Sequence, residues 1–319
     1  MFNDAIKKIM SKQITNNILM IKPISFRYND QTSKDNYYQN RIAEFSDDKI
    51  QKKALLEFDF FVKKLLAAGV NIIVVEDTND FDTPDSLFPN NWVSFHQSGD
   101  VVIYPMCAVN RRNERKIDIF TVLEKKFRIN KINDFSDFEN NKQYLEGTGS
   151  MVLDRENKIC YAALSMRTVK SLVVDFCNQF HYTPVLFHAM QNVNNKRVPI
   201  YHTNVMMCIG DKFAIICLSS IDDKLERENV VKSIELTNKE IIEINEFQKH
   251  RFAGNMLQVS GFQDYLVMSE SAYNSLTDKQ IKKIEKYCSI IYAPLNTIEK
   301  CGGGSARCMM AEIFLPIKC

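Results

Sequence analysis

Long apolar runs are the first thing that this sequence lacks. No stretch approaches the roughly 20 apolar residues that a helix needs to cross a bilayer, and the first twelve residues are charged and lack the apolar core of a secretory signal. We therefore expect a cytoplasmic protein that has no association with a membrane. The nine cysteines form no C-x-x-C pair and are odd in number, which favours reduced thiols over a disulfide framework.

A dominant charge of either sign is also lacking. The chain carries 41 basic and 39 acidic residues, a formal net charge of +2, so no overall field attracts nucleic acid or an anionic membrane. We expect a small-molecule partner and no nucleic acid. No two histidines or cysteines have the short spacing of a zinc site, so neither a metal nor a cofactor is expected. The sequence does not determine the oligomeric state.

Glycine is scarce, with 10 in 319 residues, yet three are adjacent at 302–304, shortly before Cys308. Such a run is favoured where the backbone needs positive φ or must approach another molecule closely. A thiol that follows such a loop is a candidate nucleophile. The alternative is an inert buried cysteine behind a glycine-rich turn, because a nucleophilic cysteine needs a base from elsewhere in the chain.

The local patterns are those of alternating helices and strands. Apolar residues repeat at three and four positions from Ile50 to Leu66, which predicts a helix that ends before Gly69. Short apolar runs at 18–21 and 70–75 predict strands, and we expect the second strand to be covered on both faces. The polar segment 27–40 is long for a connection and is a candidate lid. Residues 1–17 are expected to form either a short helix or a loose arm.

Three hairpins are predicted at 92–104, 151–162 and 205–218, and helical spacing returns at 169–180, 230–236 and 281–287. The order of hairpin, helix and strand thus repeats at intervals of roughly 55 to 65 residues, which favours a ring of similar αβ units over a doubly wound sheet. No linker rich in proline, glycine or serine interrupts the chain. We therefore expect a single domain that spans residues 1–319.

Two polar stretches at the ends of predicted strands contain candidate site carboxylates. Asp85 follows Pro84 and could hold a cationic or N–H-rich group, although aspartate beside proline is also typical of a turn, as are Asn90 and Asn91. Glu146 precedes a Gly-Thr-Gly run and could orient a base. The run matches neither the phosphate loop nor the dinucleotide fingerprint, and a simple bend into the next hairpin is the alternative.

His202 and several arginines complete the polar candidates. His202 is one of five histidines, and its ordinary pKa of about 6.5 suits it to give a proton to a leaving group and then take one from water; a structural histidine is the alternative. Arg167 offers the planar fork that clamps a carboxylate, unless it is a surface residue near a helix start. Arg111, Arg112 and Arg115 form a second basic cluster, which could bind a carboxylate or lie in a solvated loop.

Several motifs in this order resemble the guanidine-modifying superfamily, also called amidinotransferases or penteins. The resemblance begins near residue 20 and continues to the C-terminus. The motifs are P-D-S-L-F at 84–88, L-E-G at 145–147, S-M-R-T at 165–168, Y-H at 201–202, G-N-M-L at 254–257, I-E at 298–299 and G-G-G-S-A-R-C-M at 302–309. The bacterial citrulline-utilisation hydrolases are the most similar, because they share F-P-N-N-W at 88–92, Y-H-T-N-V at 201–205 and the whole glycine-cysteine stretch.

The resemblance implies a fold and a set of roles. The fold is a five-bladed α/β propeller with pseudo-fivefold symmetry and a polar site at its centre. Cys308 would be the nucleophile, His202 the general acid and base, and Glu146 the carboxylate that orients His202 or contacts substrate nitrogens. Asp85 would hold the terminal nitrogens and Arg167 the substrate α-carboxylate, while residues 29–39 match the mobile lid of the dimethylarginine hydrolases. The expected substrate-binding set is Asp85, Asn90, Asn91, Arg167, Asn204, Arg112 and Asn29.

One departure from the family pattern concerns the substrate. Asn90, Asn91 and Asn204 stand where related hydrolases and deiminases have carboxylates. A urea is neutral and has N–H donors and a C=O acceptor, and an amide can pair with both, whereas a carboxylate accepts only. This predicts hydrolysis of citrulline to ornithine, CO₂ and ammonia through a carbamoyl group on Cys308. The alternatives are a hydrolase, deiminase or amidinotransferase acting on arginine or a methylated arginine, and a non-catalytic propeller that binds an amino acid.

Overall fold

The computed structural model describes residues 12–318. Most of the arm or helix expected at 1–17 therefore lies outside the described residues. Within that range nine α-helices are present. They are α1 (Asp47–Ala67), α2 (Asp118–Glu124), α3 (Gly147–Ser150), α4 (Lys170–Phe180), α5 (Lys224–Glu235), α6 (Glu246–His250), α7 (Glu270–Ser275), α8 (Asp278–Glu285) and α9 (Asn296–Gly302).

The strands of the described range fall into five three-stranded sheets and one two-stranded sheet. They are β1 (Asn17–Lys22), β2 (Asn71–Glu76), β3 (Val93–Phe95), β4 (Asp100–Ile103), β5 (Lys131–Asp134), β6 (Val152–Asp154), β7 (Ile159–Ala163), β8 (Thr183–Phe187), β9 (Met190–Val193), β10 (Lys196–Pro199), β11 (Met207–Ile209), β12 (Phe213–Ile216), β13 (Glu240–Glu243), β14 (Leu257–Ser260), β15 (Asp264–Ser269), β16 (Ser289–Ala293) and β17 (Ala311–Glu312).

Each three-stranded sheet has the same topology. Its central strand pairs antiparallel with one neighbour and parallel with the other, as in the sheet β3-β4-β5. In four of the sheets an antiparallel hairpin is followed by a helix and then by the parallel strand, which confirms the predicted order of hairpin, helix and strand. A parallel neighbour needs such a crossover because its chain must return to the same end of the sheet.

The remaining sheet joins the two ends of the chain. The early strand β1 pairs antiparallel with the last strand β17 and parallel with β2. This pairing brings the C-terminal segment, which includes Cys308, beside the loop that follows β1. The stretch most informative in sequence therefore lies next to the predicted lid.

Helix α1 forms for the reasons that the sequence indicates. The Ser46 side chain accepts a hydrogen bond from the amide of Lys49 at the N-terminus, and the apolar stripe that includes Ile50, Phe58 and Leu65 is buried. The prediction that the following strand, β2, is covered on both faces is wrong. β2 is the edge strand of its sheet, and its residues are half-buried or exposed, with Val74 41% exposed.

The three predicted hairpins are present as β3-β4, β6-β7 and β11-β12. The sequence interpretation did not identify a fourth, β14-β15, because polar residues such as Gln258 and Ser260 break the apolar run of β14. No helix within residues 12–318 is long and apolar enough to cross a membrane. In the same range, no group of three or more His, Cys, Asp or Glu side chains could hold a metal ion.

Candidate active site

Short turns that precede the first strands of three hairpins meet one another and support the site. The 3-10 turn Pro89–Asn91 precedes β3, α3 precedes β6, and the 3-10 turn Thr203–Val205 precedes β11. Thr148 in α3 donates a hydrogen bond to the carbonyl oxygen of Asn90 at 3.3 Å. Thr203 donates to the carbonyl oxygen of Ser150 at 2.5 Å. These links fix the positions of the polar residues beside each turn.

Gly147 allows this close packing, and replacing it tests the fit. Its φ is +48°, and an added Cβ would lie 2.3 Å from the carbonyl oxygen of Asn90. We expect Gly147→Ala to lower the free energy of unfolding by at least about 2 kcal/mol, because left-handed strain adds to a backbone overlap. Gly69→Ala is the control, since its added Cβ would meet the exposed and movable Phe262 side chain. If urea denaturation showed equal losses of unfolding free energy in Gly147→Ala and Gly69→Ala, the predicted overlap would be contradicted.

Glu146 and His202 form a buried pair. Glu146 is 0% and His202 2% exposed, and Nε2 of His202 lies 2.8 Å from Oε2 of Glu146. The other carboxylate oxygen accepts a hydrogen bond from the amide of Cys107 at 2.9 Å. Burial opposes ionisation of Glu146, but Arg167, together with His202, holds the pKa of Glu146 well below its usual range. Glu146 is therefore a fixed carboxylate that orients the imidazole.

The imidazole is neutral in this arrangement. Burial lowers the pKa of His202 below its ordinary value, although the hydrogen bond and charge of Glu146 oppose that shift. A neutral imidazole can accept a proton and return it, as a general base and acid require.

The thiol of Cys308 contacts two asparagine amides. Nδ2 of Asn255 lies 3.2 Å from Sγ and Nδ2 of Asn204 lies 3.5 Å from it. Asn255 also accepts a hydrogen bond from the amide of Arg307 at 3.1 Å through Oδ1, so it holds the chain that carries the thiol. The sulfur therefore faces two N–H donors. Asn204 was expected in the site. Asn255 belongs to the G-N-M-L motif at 254–257 but was given no role, although its place in that motif was an available signal.

The two carboxylate oxygens of Asp85 have different surroundings. Its Oδ2 accepts hydrogen bonds from Asn29 at 2.7 Å and Thr32 at 3.1 Å. Among residues 12–318 its buried Oδ1 has no hydrogen-bond partner. Burial raises the pKa of Asp85 above its usual value, against the influence of Arg111. A buried acceptor that is left open in this way is suited to a ligand that donates N–H groups.

The two adjacent arginines differ in their surroundings. Arg111 is 2% exposed, donates to Oδ1 of Asn91 at 2.8 Å and pairs with Glu114 at 2.9 Å. Arg112, which the sequence interpretation selected, instead donates to the carbonyl oxygen of Met106 at 3.2 Å and pairs with Glu139. Arg111 therefore borders the cavity and Arg112 does not.

Asn90 and Asn91 are also distinguished by the structure. Asn91 borders the cavity, and its Nδ2 donates to Oδ1 of Asn90 at 3.1 Å. Asn90 is fully buried behind it, and its Nδ2 has no partner among the described residues. Asn91 is the one of the two that can meet a ligand.

Arg167 is held by the predicted lid. Its Nε donates to Oδ2 of Asp35 at 2.8 Å, its Nη2 pairs with the other oxygen of Asp35, and Nη2 also donates to the carbonyl oxygen of Thr32 at 3.0 Å. On its inner side, Nη1 lies 3.4 Å from Oε2 of Glu146. The guanidinium fork therefore already holds a carboxylate, which belongs to the protein itself.

The glycine run allows the lid to pack closely against the C-terminal segment. Gly303 has a φ of +63°, and an added Cβ would lie 2.5 Å from the side chain of Asn36. Asn36 donates to the carbonyl oxygen of Gly302 at 3.3 Å, and Gln39 donates to that of Cys301 at 3.1 Å. The lid thus closes over residues 301–303, and the glycines admit its side chains.

A small cavity lies at the centre of these residues. Cys308, His202, Asp85, Asn91, Arg111 and Arg167 border it, together with the glycine run and the lid. Its volume is about 20 Å³, which is room for about one water molecule. In this conformation the cavity is too small to hold an amino acid.

Negative charge exceeds positive charge around this cavity. The carboxylates are Asp35, Asp85 and Glu146, and the guanidiniums paired with them are Arg111 and Arg167. Glu114 also pairs with Arg111, but burial raises the pKa of Glu114 to about 8, so this group is mostly protonated near neutral pH and adds little negative charge. A cation in the cavity would balance the surplus.

Solved structures share this fold. The structure of ArgZ, an arginine dihydrolase from the ornithine-ammonia cycle in cyanobacteria, is similar with a TM-score of 0.72 and 17% identity over 95% of this chain and 41% of that chain. The separate N-terminal domain of an ArgZ variant, covalently bound to a reaction intermediate, is matched over 98% of its length, with 94% of this chain covered, 17% identity and a TM-score of 0.72.

A dimethylarginine dimethylaminohydrolase variant bound to S-methyl-L-thiocitrulline gives a TM-score of 0.64 at 15% identity over 94% of this chain and 100% of that chain. At these identities the likeness shows the fold alone, which is mixed α/β and of the pentein type. A search of curated proteins finds no significant match.

Fold and family together identify the class: the chain is one of the guanidine-modifying proteins of the pentein superfamily, as the motifs indicated. Within that class it belongs to the family described as N,N dimethylarginine dimethylhydrolase, eukaryotic, whose model matches residues 22–315.

Proposed function

We propose that the protein is a hydrolase that cleaves the guanidino group of arginine or a methylated arginine through a covalent intermediate on Cys308. The observation that carries this proposal is the surplus of carboxylates around the cavity, with Oδ1 of Asp85 lacking a hydrogen-bond partner among residues 12–318. A guanidinium would bring one positive charge and several N–H donors to that oxygen.

The proposed reaction uses the site residues in two steps. The thiol of Cys308 gives its proton to the neutral imidazole of His202, and its sulfur forms a bond to the guanidino carbon. The bond from that carbon to one nitrogen then breaks, and His202 gives the proton to the leaving amine. Water next adds its oxygen to the same carbon and one proton to His202; the S–C bond breaks, the second proton of the water is released as the C=O group forms, and His202 returns its proton to the sulfur. Glu146 keeps His202 oriented throughout.

Citrulline is the second candidate substrate. The observation in its favour is the amide group of Asn91 at the cavity, together with those of Asn204 and Asn255 at the thiol. A neutral urea would pair well with amides but would leave the carboxylate surplus unbalanced, so we place a guanidinium first.

The test is to incubate the purified protein separately with arginine, N,N-dimethylarginine and citrulline and to measure ammonia, dimethylamine, citrulline and ornithine. We expect an amine product and citrulline or ornithine from at least one of the two guanidino compounds. Ornithine from citrulline, with both guanidino compounds unchanged, would establish the ureido reaction instead. An amine product that appears only after a second amine is added would indicate amidino transfer, and no product from any compound would indicate a non-catalytic binding protein.

We also propose that the five three-stranded sheets are the blades of a five-bladed propeller within one domain. Their common topology and the pairing of β1 with β17, which joins the two ends of the chain, support this arrangement. The cytoplasmic location expected from the sequence stays a prediction.

Asn255 is expected to support the thiolate. Asn255→Asp replaces a donor by a negative carboxylate beside Cys308, and we expect kcat/KM for the active substrate to fall by about 10- to 100-fold, the effect of losing a hydrogen bond to a charged group. The rate of alkylation of Cys308 by iodoacetamide should fall in parallel. Asn192→Asp, on an exposed position of β9, is the control and should change neither rate. An unchanged alkylation rate in Asn255→Asp would contradict this role.

Asp35 is expected to compete with the substrate for Arg167. If Arg167 holds the substrate α-carboxylate, as the family resemblance implies, the ion pair between Asp35 and Arg167 must break before the substrate binds. We therefore expect Asp35→Asn to lower KM by about 5- to 10-fold, since the weakened ion pair is partly buried. Asp30→Asn is the control, because Asp30 is in the same loop but pairs with the exposed Arg41. A raised KM in Asp35→Asn would mean that the pair helps to hold the substrate.

A further inference from the structure

A second and larger cavity lies outside the catalytic cavity. Its volume is about 530 Å³, which is usual for sites that bind metabolites. No described residue borders both this cavity and the catalytic cavity. Among the described residues that border it, Lys12, Lys131, Arg155 and Lys158 are cationic and Asp100 is acidic. The cavity is therefore strongly basic, although the protein as a whole is nearly neutral.

Arg155 is the buried cation of this cavity. It is 4% exposed, and its guanidinium lies over the ring of Phe314 at 4.2 Å. Its carboxylate partner, Glu312, is 3.7 Å from Nε, which is too long for a hydrogen bond. Glu312 thus offsets the charge of Arg155 without using its N–H donors, and these donors can bind an anionic group from the cavity.

The other walls favour an anion as well. Nζ of Lys158 lies 4.6 Å from the ring centre of Tyr182, and burial together with the charge of Arg155 lowers the pKa of Lys158. Like charges are thus held near each other, and a bound anion would relieve their repulsion. His96 and Phe180, stacked with ring centres 4.6 Å apart, add an aromatic wall.

We propose that this cavity binds a small metabolite with two or more negative charges, carried by phosphate or carboxylate groups. The predominance of cations and the buried donors of Arg155 select such a ligand over the proposed substrate, which is an amino acid with a positively charged side chain.

The cavity is connected to the nucleophile, and this step rests on the proposed function. Glu312 lies between Arg155 and Arg307, and it accepts a hydrogen bond from Nη2 of Arg307 at 2.7 Å. Arg307 precedes Cys308 and donates its amide to Asn255. An anion that binds Arg155 would weaken the attraction between Arg155 and Glu312. We therefore expect the bound anion to change the rate of turnover.

Binding is tested by calorimetric titration with pyrophosphate, citrate and AMP at constant ionic strength, with arginine present to occupy the catalytic cavity. We expect at least one probe to bind and Lys131→Gln/Lys158→Gln to weaken it at least about tenfold, because two charge-assisted contacts are lost. Lys63→Gln, an exposed lysine of α1, is the control and should bind normally. Binding of AMP and pyrophosphate without citrate would identify phosphate as the recognised group, and binding of citrate would identify carboxylates.

Three results would overturn the site: no binding of any probe while arginine is present, equal weakening in Lys63→Gln, or normal binding in Lys131→Gln/Lys158→Gln. The coupling is measured separately with the active substrate. A saturating probe should change kcat or KM at least about twofold, and Glu312→Gln should abolish that change while the probe still binds. Binding without a change in either constant would overturn the coupling and leave the site intact. The titration does not need turnover, so a failure of the proposed function is distinguished from a failure of the site.

Discussion

Cys308→Ala is expected to lower kcat for the guanidino substrate by on the order of 10⁵- to 10⁶-fold, which is the scale of losing a catalytic nucleophile. The reason is geometric as well as chemical. The thiol borders the same cavity as His202 and Asp85, and the amides of Asn255 and Asn204 face its sulfur. Without the sulfur no covalent intermediate can form, and the remaining site can only bind. Steady-state kinetics with the purified variant and the unmodified protein measures the loss of kcat.

Cys301→Ala is the matched control for this variant. Cys301 is also buried, lies seven positions earlier and belongs to the same apolar cluster as Cys308, but it does not border the cavity. We expect Cys301→Ala to lower the free energy of unfolding, because it leaves a cavity. It should leave kcat within about twofold of the wild-type value, since Cys301 contacts no reacting group. Retention of more than a few per cent of activity in Cys308→Ala would contradict nucleophilic catalysis by this residue.

Glu146→Gln is expected to lower kcat by about 10³- to 10⁴-fold, the scale seen when a carboxylate that orients a catalytic histidine becomes an amide. The amide keeps the size of the side chain and can still accept from the amide of Cys107 through its oxygen. It then presents an N–H group to Nε2 of His202, which must become an acceptor. The proton of the imidazole moves to Nδ1, and the ring can no longer serve as a base there.

Glu139→Gln controls for the loss of a buried carboxylate. Glu139 also accepts a backbone hydrogen bond, from Met106 at 2.7 Å, and it pairs with Arg112 at 3.2 Å, yet it does not border the cavity. Its replacement should lower the unfolding temperature without a comparable fall in kcat. The pH dependence of kcat should be displaced in Glu146→Gln and unchanged in Glu139→Gln. Similar kinetic losses in the two variants would mean that Glu146 has a structural role alone.

The sequence predicted those parts of the fold that depend on local pattern. The helical spacing of Ile50 to Leu66 and the apolar runs around short polar turns correspond to α1 and to three hairpins. β14 was missed because its alternating polar residues give a weak apolar signal. The burial of β2 was misjudged because an edge position depends on which strands pair, and pairing between distant segments is not encoded in local pattern.

The chemically distinctive residues of the site were also found from sequence. Cys308, His202 and Glu146 stand in motifs of the guanidine-modifying proteins. In the structure Cys308 and His202 border the cavity, and Glu146 lies behind His202 and hydrogen-bonds to it; their catalytic roles stay predictions. The sequence prediction selected Arg112, whereas Arg111 borders the cavity. Adjacent residues of a short turn point in different directions, and their spacing in sequence does not tell which one faces inward.

Long-range contacts account for the rest. The pairing of Asp35 with Arg167 joins residues 132 positions apart, and the approach of Asn255 to Cys308 joins residues 53 positions apart. The preference for a urea was inferred from three asparagines. It did not include the charge of Asp35, whose pairing with Arg167 beside the cavity appears only in the fold.

The most direct test of the central claim is to quench the enzyme with acid during turnover of guanidino-¹³C-labelled arginine, or of labelled dimethylarginine if that is the active substrate, and to map adducts by mass spectrometry. We predict a labelled adduct on the peptide that contains Cys308. An adduct that retains the whole amino acid would mean that a terminal nitrogen leaves first, and a one-carbon adduct would mean that ornithine leaves first. Turnover without any adduct on this peptide, or with the label on another cysteine, would contradict the account.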